Sequence, residues 1–157
     1  MTITIILAHD EGYMIGKGDG LPWPHLAEDM RRFYKETLGK TVVMGRKTME
    51  TLGKPLRFRE NIVLTNNLSW RMNGVVVLHD MRQAVIRGGS SDTVFIGGAQ
   101  IYLQAWEMAT RLLITEVVGR HEGDVRFKPD LRDWREIRRE RWEEDGRHIC
   151  DFVEYAR

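Results

Sequence analysis

Residues 94–98 (Val-Phe-Ile-Gly-Gly) constrain the fold of this chain more than any other segment, because an apolar strand pattern ends abruptly on two glycines. Two glycines leave no Cβ atoms at the end of the strand, so the backbone can approach a ligand closely there. Ile101, Tyr102, Ala105 and Met108 then recur at helical spacing. The segment predicts a strand, a turn and a helix whose first N–H groups accept phosphate, with a plain strand-to-helix turn as the alternative.

Length and composition indicate one soluble domain spanning residues 1–157, since 42% of the residues are hydrophobic and 30% are charged. A net charge of +1 favours neither a nucleic-acid nor a membrane partner, because proteins that track phosphate usually carry a marked basic excess. The single cysteine, Cys150, has no partner for an internal disulfide, and the first residues lack the pattern of a signal peptide. We therefore expect a cytoplasmic protein.

The alternation of strand and helix patterns predicts an α/β domain with an approximately eight-stranded, mainly parallel sheet and helices on both faces. Strands are expected over residues 3–8, 41–44, 61–65, 75–78, 93–96 and 112–118, and helices over 26–38, 81–86 and a short segment ending at residue 52. Residues 134–142 and 148–155 alternate and are strongly charged, which predicts an antiparallel hairpin at the C-terminal edge. Residues 10–20 contain four glycines and are expected to form a mobile loop without a strand.

Asp29 stands beside the apolar face of the first predicted helix, with Leu26, Met30 and Phe33 around it. Desolvation on such a face raises the pKa of a carboxyl group, and a bound cationic or amidinium-like ligand favours the charged form again. A carboxylate of this kind can both anchor a ligand and assist a proton transfer. The alternative is a first-turn acid that complements the helix dipole, like its neighbour Glu28.

A second phosphate-accepting turn follows the predicted strand 41–44, where Gly45, Arg46, Lys47 and Thr48 open a short helix. Residues 39–41 (Gly-Lys-Thr) do not form a Walker A loop, because the leading glycine is missing and a strand follows where that motif needs a helix. The five histidines and the cysteine are scattered without ligand spacing, so no metal site is expected.

Taken together, these motifs resemble the dihydrofolate reductase family over nearly the whole chain and in the same order. The resemblance rests on Ile15-Gly16, Leu21-Pro22-Trp23, Asp29, Phe33, residues 43–48, residues 96–102, Thr115, and Glu122-Gly123-Asp124 before Phe127. Each motif is weak alone, whereas their joint occurrence at the family's spacing is specific. The resemblance implies NADPH-dependent reduction of 7,8-dihydrofolate to 5,6,7,8-tetrahydrofolate, with hydride transfer to C6 and protonation of N5.

In that family an acid on the first helix pairs with the 2-amino group and a ring nitrogen of the pteridine, and position-matching gives this role to Asp29. Six residues separate Asp29 from Trp23, whereas most bacterial members have five, a spacing that Glu28 would fit. Phe33, four residues beyond Asp29, favours Asp29. The resemblance also implies that Trp23 and Thr115 hold the acid through hydrogen bonds, one of them mediated by water.

The same resemblance implies a substrate pocket walled by Leu7, Ala8, Met30, Phe33, Leu52 and Ile96. Arg59 matches the arginine that binds the α-carboxylate of the glutamate tail, a task suited to a planar bidentate group, and Arg57 is a nearby competitor. Antifolates such as methotrexate are expected to bind in this pocket.

The cofactor contacts implied by the resemblance lie on the first strand and loop and on three turns. They are Ala8, Ile15, Gly45, Arg46, Lys47, Thr48, Leu64, Thr65, Asn66, Ile96, Gly97, Gly98, Ala99, Gln100, Ile101 and Tyr102. Arg46 is best placed for the 2′-phosphate of NADPH, and a cis peptide bond is expected between Gly97 and Gly98. Ala99, Gln100 and Asn66 depart from commoner family residues, so the preference for NADPH over NADH is implied mainly by Arg46 and Lys47.

Two rival functions share parts of this pattern. A pyrimidine reductase of riboflavin synthesis has the same fold and cofactor turns but lacks the pairing of Trp23 and Asp29. A nucleotide-binding module without catalysis would keep the features of Arg46 and Gly97 and would have no antifolate-sensitive pocket. We expect instead a monomeric enzyme in which residues 12–20 close over the site and exclude solvent.

Overall fold

The computed structural model describes residues 2–89 and 92–157, which form an eight-stranded sheet, a two-stranded sheet and four helices. The strands are β1 (Ile3–His9), β2 (Met14–Gly16), β3 (Thr41–Gly45), β4 (Glu60–Leu64), β5 (Val75–Leu78), β6 (Thr93–Gly97), β7 (Arg111–Val117), β8 (Val125–Arg126), β9 (Arg135–Glu144) and β10 (Arg147–Ala156). The helices are α1 (Ala27–Thr37), α2 (Arg46–Leu52), α3 (Met81–Gly88) and α4 (Ala99–Ala105).

The large sheet has the order β5-β4-β3-β6-β1-β7-β10-β9. Its first six strands in this order are parallel, and β10 runs antiparallel to both β7 and β9. From β1 the chain builds β3, β4 and β5 outward on one side, then returns to β6 and crosses β1 to reach β7. Because parallel crossovers are right-handed, this reversal places α1 and α2 on one face and α3 and α4 on the other.

Branched apolar side chains explain the central strands, since Ile5, Val42, Val43 and Ile62 are completely buried. The alternation of side chains along each strand divides them between two layers. Val43, Ile62 and Ile5 pack with α3 and α4, whereas Val42 packs with Met49 of α2. Both faces of the sheet are therefore covered, as a mainly parallel sheet requires.

The predicted fold class is confirmed, and the observed elements differ from the expected ones by a residue or two at most ends. The exception is the glycine-containing loop, where the prediction that residues 10–20 hold no strand is wrong. β2 pairs with β8, Met14 is buried, and the N–H of Asp124 donates to the carbonyl of Gly16 at 2.9 Å. Strand periodicity does not reveal this element, because it has only three residues and its partner lies about 110 residues further along the chain.

Met108 lies beyond the end of α4, although its spacing from Ile101 predicted that it belongs to the helix. The amide of Met108 donates to the carbonyl of Ala105 at 3.1 Å, which tightens the chain into a turn after the helix. In the described part of the chain no helix combines the length and apolar character needed to cross a membrane.

The pairing of β2 with β8 leaves no space for a side chain at Gly123. A Cβ at this position would lie 2.6 Å from the carbonyl oxygen of Gly16 and 2.5 Å from Met14 Cγ. We expect Gly123→Ala to lower the free energy of unfolding by about 1–3 kcal/mol, as overpacking does. The amide of Asp124 should also exchange its hydrogen faster, because the bond to Gly16 is displaced.

The control for this prediction is Gly20→Ala in the loop after β2, where an added Cβ meets nothing within 4 Å. In Gly20→Ala, the free energy of unfolding measured with urea and the hydrogen-exchange rate of the Asp124 amide should be close to those of the unmodified protein. Equal behaviour of the two variants would show that the contact between Gly123 and β2 does not constrain the loop.

Candidate active site

The candidate site begins where α1 meets β7 beneath the carboxyl ends of the parallel strands. Asp29, in the first turn of α1, accepts a hydrogen bond of 2.7 Å from the Oγ1 of Thr115 on β7. Thr115 is buried and pairs in register with Ala8 on β1 and Phe152 on β10. The hydroxyl is thus fixed by two neighbouring strands, and it fixes the carboxylate in turn.

Burial raises the pKa of the Asp29 carboxyl above its usual value, although the hydrogen bond from Thr115 and the positive charge of Arg32 oppose this rise. The direction agrees with the expectation from its place beside an apolar helix face. Such a carboxyl gains or loses a proton more readily near neutral pH than an exposed aspartate does.

Trp23 closes the same region from the loop before α1. Its indole is 5% exposed and packs with Phe152, Val117 and Cys150. Among the described residues its Nε1 atom has no hydrogen-bond partner. A buried N–H group of this kind needs an acceptor, which a water molecule or a ligand supplies in many proteins.

The structure brings most of the predicted substrate pocket to the α1 face of the sheet. Met30 and Phe33 are half-buried on α1, and Ile96 is the last residue but one of β6. Leu52 ends α2, with 36% of its surface exposed. Leu7 is not brought to this group, because its side chain points to the opposite layer and packs with the cluster that includes residues of α3 and α4.

Ile6, the neighbour of Leu7 on β1, was missed by the sequence analysis. It packs on the same side as Ile96 and lines a small cavity together with Asp29 and Phe33. Successive strand residues point to opposite faces, so the choice between Ile6 and Leu7 depends on a register that a fully apolar strand does not display.

The structure distinguishes the two arginines that are candidates for binding a substrate carboxylate. Arg59 is tied to the end of α1, where its Nε donates to Thr37 Oγ1 at 3.0 Å and its Nη2 donates to the carbonyl of Tyr34. Arg57 is exposed, and its guanidinium carbon lies 5.8 Å from the ring centre of Phe58. Arg59 is therefore the arginine that is held rigidly beside α1.

The two glycine-containing turns predicted to contact the cofactor are neighbours. The ladder pairs Met44 with Gly97, and a Cβ on Gly45 would lie 3.9 Å from the carbonyl oxygen of Gly97. The peptide bond between Gly97 and Gly98 is cis, as expected. Neither α2 nor α4 has a side chain that caps its first N–H groups, so both helix starts offer free donors to the same space.

The side chains around these turns fit a dinucleotide with an additional phosphate. Arg46 and Thr48 are half-buried and Lys47 is exposed at the start of α2, while a Cβ on Gly98 would meet nothing within 4 Å. A positively charged, open turn of this kind suits a phosphate group. The guanidinium of Arg46 is paired with Glu50 at 2.6 Å, along the surface of the helix.

The other predicted cofactor residues lie around the same strand ends with different exposure. Tyr102 and Ile101 are buried in α4, and the hydroxyl of Tyr102 lies 3.0 Å from the carbonyl of Ile6 and 3.1 Å from that of Ile96. Leu64 is buried, Ala8, Ile15, Thr65 and Ala99 are half-buried, and Asn66 and Gln100 are exposed.

Comparison with known proteins identifies the family. The family model for dihydrofolate reductase matches residues 2–157. The chain belongs to the dihydrofolate reductase family. Among curated members, it is 37% identical to dihydrofolate reductase type 3 of Salmonella typhimurium, over all of this chain and 99% of that protein. It is 44% identical to the dihydrofolate reductase of Neisseria gonorrhoeae, over 88% of this chain and 87% of that one.

A solved structure supports the same family assignment. Dihydrofolate reductase from Enterococcus faecalis, complexed with NADP(H) and RAB-propyl, superimposes with a TM-score of 0.92 at 30% sequence identity. The alignment covers 99% of this chain and 95% of that chain. The fold of this dihydrofolate reductase family member therefore agrees with that of a relative solved with a bound dinucleotide.

Asp10, directly after β1, is a further residue of the site region that the sequence analysis did not single out. Its buried carboxylate accepts bonds from the amides of Gly12 at 2.8 Å and Met14 at 2.9 Å, and from the amide and ring Nδ1 of His121 at 2.6 and 3.0 Å. The His121 ring in turn meets the indole of Trp23 edge-on, with ring centres 5.9 Å apart. An aspartate followed two residues later by glycine is the turn signal that could have indicated this role.

Asp10 therefore joins the loop after β1 to the loop after β7. Burial would raise its pKa, but the hydrogen bonds from Met14, His121 and Gly12 together hold the pKa below its usual value. A lowered pKa in the folded state means that the carboxylate stabilises the fold above its unfolded pKa, and that this contribution is lost as the pH falls through the folded pKa.

We expect Asp10→Asn to lower the free energy of unfolding at pH 7 by about 1–3 kcal/mol, because an amide has one acceptor oxygen for several buried donors. The difference between the variant and the unmodified protein should shrink as the pH falls below about 4 and the native carboxylate takes up a proton. Urea unfolding at a series of pH values measures both effects. Asp19→Asn, at an exposed position of the same loop, is the control, and an Asp10→Asn effect that stays constant down to pH 2 would contradict the assignment.

Proposed function

We propose that Asp29 is the acid that binds the pteridine and assists protonation when this chain reduces dihydrofolate. Membership of the family gives the reaction itself: the chain is an NADPH-dependent oxidoreductase that converts 7,8-dihydrofolate to 5,6,7,8-tetrahydrofolate. The observation that supports the role of Asp29 is its desolvated carboxylate, held at 2.7 Å by Thr115 at the carboxyl edge of the sheet.

In this proposal Asp29 accepts hydrogen bonds from the 2-amino group and the adjacent ring nitrogen of the pteridine. Thr115 holds one carboxylate oxygen, and Trp23 reaches the acid through a water molecule that accepts from its buried Nε1. The proton for N5 comes from water, and Asp29 makes its delivery favourable without touching N5. The pKa of Asp29 is raised by burial, so the neutral form is more accessible than in an exposed aspartate.

The cofactor supplies the hydride for C6 when it is bound. We propose that the free N–H groups at the starts of α2 and α4 bind its phosphates, and that Arg46, Lys47 and Thr48 bind the 2′-phosphate side. The pair between Arg46 and Glu50 is half-exposed, and such a pair contributes about 0.3–0.5 kcal/mol, so a phosphate can displace the carboxylate at little cost.

The same geometry supports the remaining substrate contacts of this proposal. Ala8, Met30, Phe33, Leu52 and Ile96 form the apolar walls of the pocket. Arg59, which is held at the end of α1, binds the α-carboxylate of the glutamate tail and is favoured over the exposed Arg57. Antifolates such as methotrexate occupy the pteridine pocket, and residues 12–20 exclude solvent when they close over it.

We also propose that residues 1–157 work as one domain, as a monomer, in the cytoplasm and without a nucleic-acid partner. The family match over residues 2–157 and one sheet that contains strands from both ends of the chain support the single domain. The buried free thiol of Cys150 fits a reducing compartment.

Replacing Asp29 with asparagine should reduce dihydrofolate-dependent oxidation of NADPH at pH 7 by about a hundredfold or more, since the variant has no ionisable group at this position. Loss of NADPH absorbance with and without dihydrofolate measures the effect, and methotrexate should abolish the activity of the unmodified protein. NADPH binding should be retained, because Asp29 lies outside the two glycine turns.

The matched control is Glu28→Gln, which alters the neighbouring acid of the same helical turn and should keep most of the activity. Full activity of Asp29→Asn together with loss in Glu28→Gln would give the catalytic role to Glu28. NADPH binding without any dihydrofolate-dependent oxidation in the unmodified protein would instead favour the pyrimidine reductase or the binding module.

Arg46→Gln should raise the KM for NADPH by about tenfold to a hundredfold and leave the KM for NADH nearly unchanged, because only NADPH carries the 2′-phosphate. Steady-state kinetics with both cofactors measure this difference. Glu50→Gln is the companion variant: it frees Arg46 from its helix partner and should not weaken NADPH binding. An equal loss with both cofactors in Arg46→Gln would assign a structural role to the arginine.

A further inference from the structure

Arg32 lies three residues after Asp29 on α1, so the two side chains emerge on the same side of the helix. Both line a small cavity of about 60 Å³ between α1 and the strands β7 and β10, together with Thr115 and Phe152. The Arg32 side chain is 31% exposed, so its charge is screened less by solvent than that of a fully exposed arginine.

The guanidinium of Arg32 is held in place by contacts from two strands. Its central carbon lies 3.9 Å from the ring centre of Phe152 on β10, and its Nη2 forms an ion pair with Glu140 on β9. Its Nε atom is buried and has no hydrogen-bond partner within residues 2–89 and 92–157. Arg32 is thus a fixed cation under α1, although nothing in its sequence position distinguishes it from the exposed Arg31.

We propose that Arg32 is a positioning residue for the proton step, whose fixed charge sets the balance between the ionised and neutral forms of Asp29 before substrate binds. The proposal rests on the proposed function, in which Asp29 assists protonation of N5. It assigns to Arg32 an effect that is exerted through Asp29, without contact between Arg32 and the pteridine.

The other charged groups around the cavity are paired with each other. Arg111 on β7 contacts Glu36 on α1 at 3.5 Å and Glu154 on β10 at 3.0 Å, and Arg138 on β9 lies 3.8 Å from Glu140. The positive charges of Arg32, Arg111 and Arg138 therefore balance the negative charges of the three glutamates. Loss of Arg32 leaves one excess negative charge near Asp29.

Two further titratable groups near Asp29 are neutral at physiological pH. Burial raises the pKa of the Cys150 thiol on β10 to about 12, and burial together with the charge of Asp29 raises the pKa of Tyr102 on α4. Burial, Thr115 and Arg32 are the influences on the pKa of Asp29, and Arg32 is the one full charge among them. The charge of Asp29 therefore responds to Arg32 more than to any other ionisable side chain.

Removal of the cation should raise the pKa of Asp29, since the carboxylate loses the charge that favours it. A reaction that needs a proton slows as the pH rises through the pKa of its acid. The declining limb of the pH profile should therefore move to higher pH. We expect the ratio of the hydride-transfer rates at pH 8 and pH 6 to increase by about threefold or more.

The test compares three variants. Arg32→Met keeps the apolar contact with Phe152 but has no charge, and Arg32→Lys keeps a positive charge. Glu140→Gln breaks the ion pair and keeps Arg32. Single-turnover hydride transfer is measured between pH 5 and pH 9 for each variant. Arg32→Met should shift the profile to higher pH, and Arg32→Lys should restore most of it. Glu140→Gln should not shift the profile to higher pH, because it removes a negative charge and keeps Arg32. Arg32→Gln is a second uncharged variant in case Arg32→Met does not fold.

A direct readout without substrate or cofactor is the titration of the Asp29 carboxyl carbon by NMR, assigned by its absence in Asp29→Asn. Its midpoint should rise in Arg32→Met and not in Glu140→Gln. An unchanged midpoint in Arg32→Met, or an equal rise in Glu140→Gln, would overturn the proposal. Failure of the proposed function is recognised separately: Asp29→Asn would then keep the activity and the pH profile of the unmodified enzyme.

Discussion

The hydrogen bond between Asp29 on α1 and Thr115 on β7 is the interaction on which the candidate site depends, because it joins the helical layer to the sheet at the proposed catalytic acid. An unpaired carboxylate in this place would cost several kcal/mol, so α1 must lie at one height above the sheet. Arg111 fixes the other end of the helix, since it contacts Glu36 on α1 and Glu154 on β10. The position of the acid is therefore set by contacts at both ends of α1.

The reversal of the crossovers at β6 creates the space that the site uses. α1 and α2 leave the sheet on one face and α4 leaves it on the other, so the carboxyl ends of β1, β3 and β6 open into a cleft between them. Glycine is required at the turn after β6 for a second reason besides ligand approach. Gly97 has a φ of 128°, and a Cβ there would lie 3.1 Å from the hydroxyl of Tyr102. The packing of Tyr102 on α4 against the sheet thus also requires glycine at position 97.

Most of the fold was predictable because its strands are short runs of branched apolar residues separated by helical patterns and glycines. The edge hairpin was predictable from its charged alternation, and the family motifs indicated Asp29, Thr115 and the two glycine turns. These signals are local in sequence, or they are spacings within a family pattern. They do not depend on which residues the fold places side by side.

Apart from the early end of α4 before Met108, the features that escaped prediction depend on contacts between distant segments. β2 exists because β8 pairs with it, and Asp10 is important because His121 and two amides of the adjoining loop converge on its carboxylate. The side of the sheet to which Ile6 points follows from the twist and register of β1, a strand that is apolar on both sides. A sequence read along the chain contains the residues for each of these contacts but not their juxtaposition.

Asp10 and Asp29 show how one edge of a sheet gives two acids opposite properties. Burial favours the neutral form of both, yet Asp10 accepts four hydrogen bonds and has a lowered pKa, whereas Asp29 accepts one from Thr115 and has a raised pKa. Burial and the number of donors aimed at each carboxylate therefore act together to set the direction of its pKa shift. Asp10, the acid with many donors, uses its acceptor capacity to hold the loop after β1 to the loop after β7. The acid with few donors keeps acceptor capacity for a ligand and a protonation state that a neighbouring charge can change.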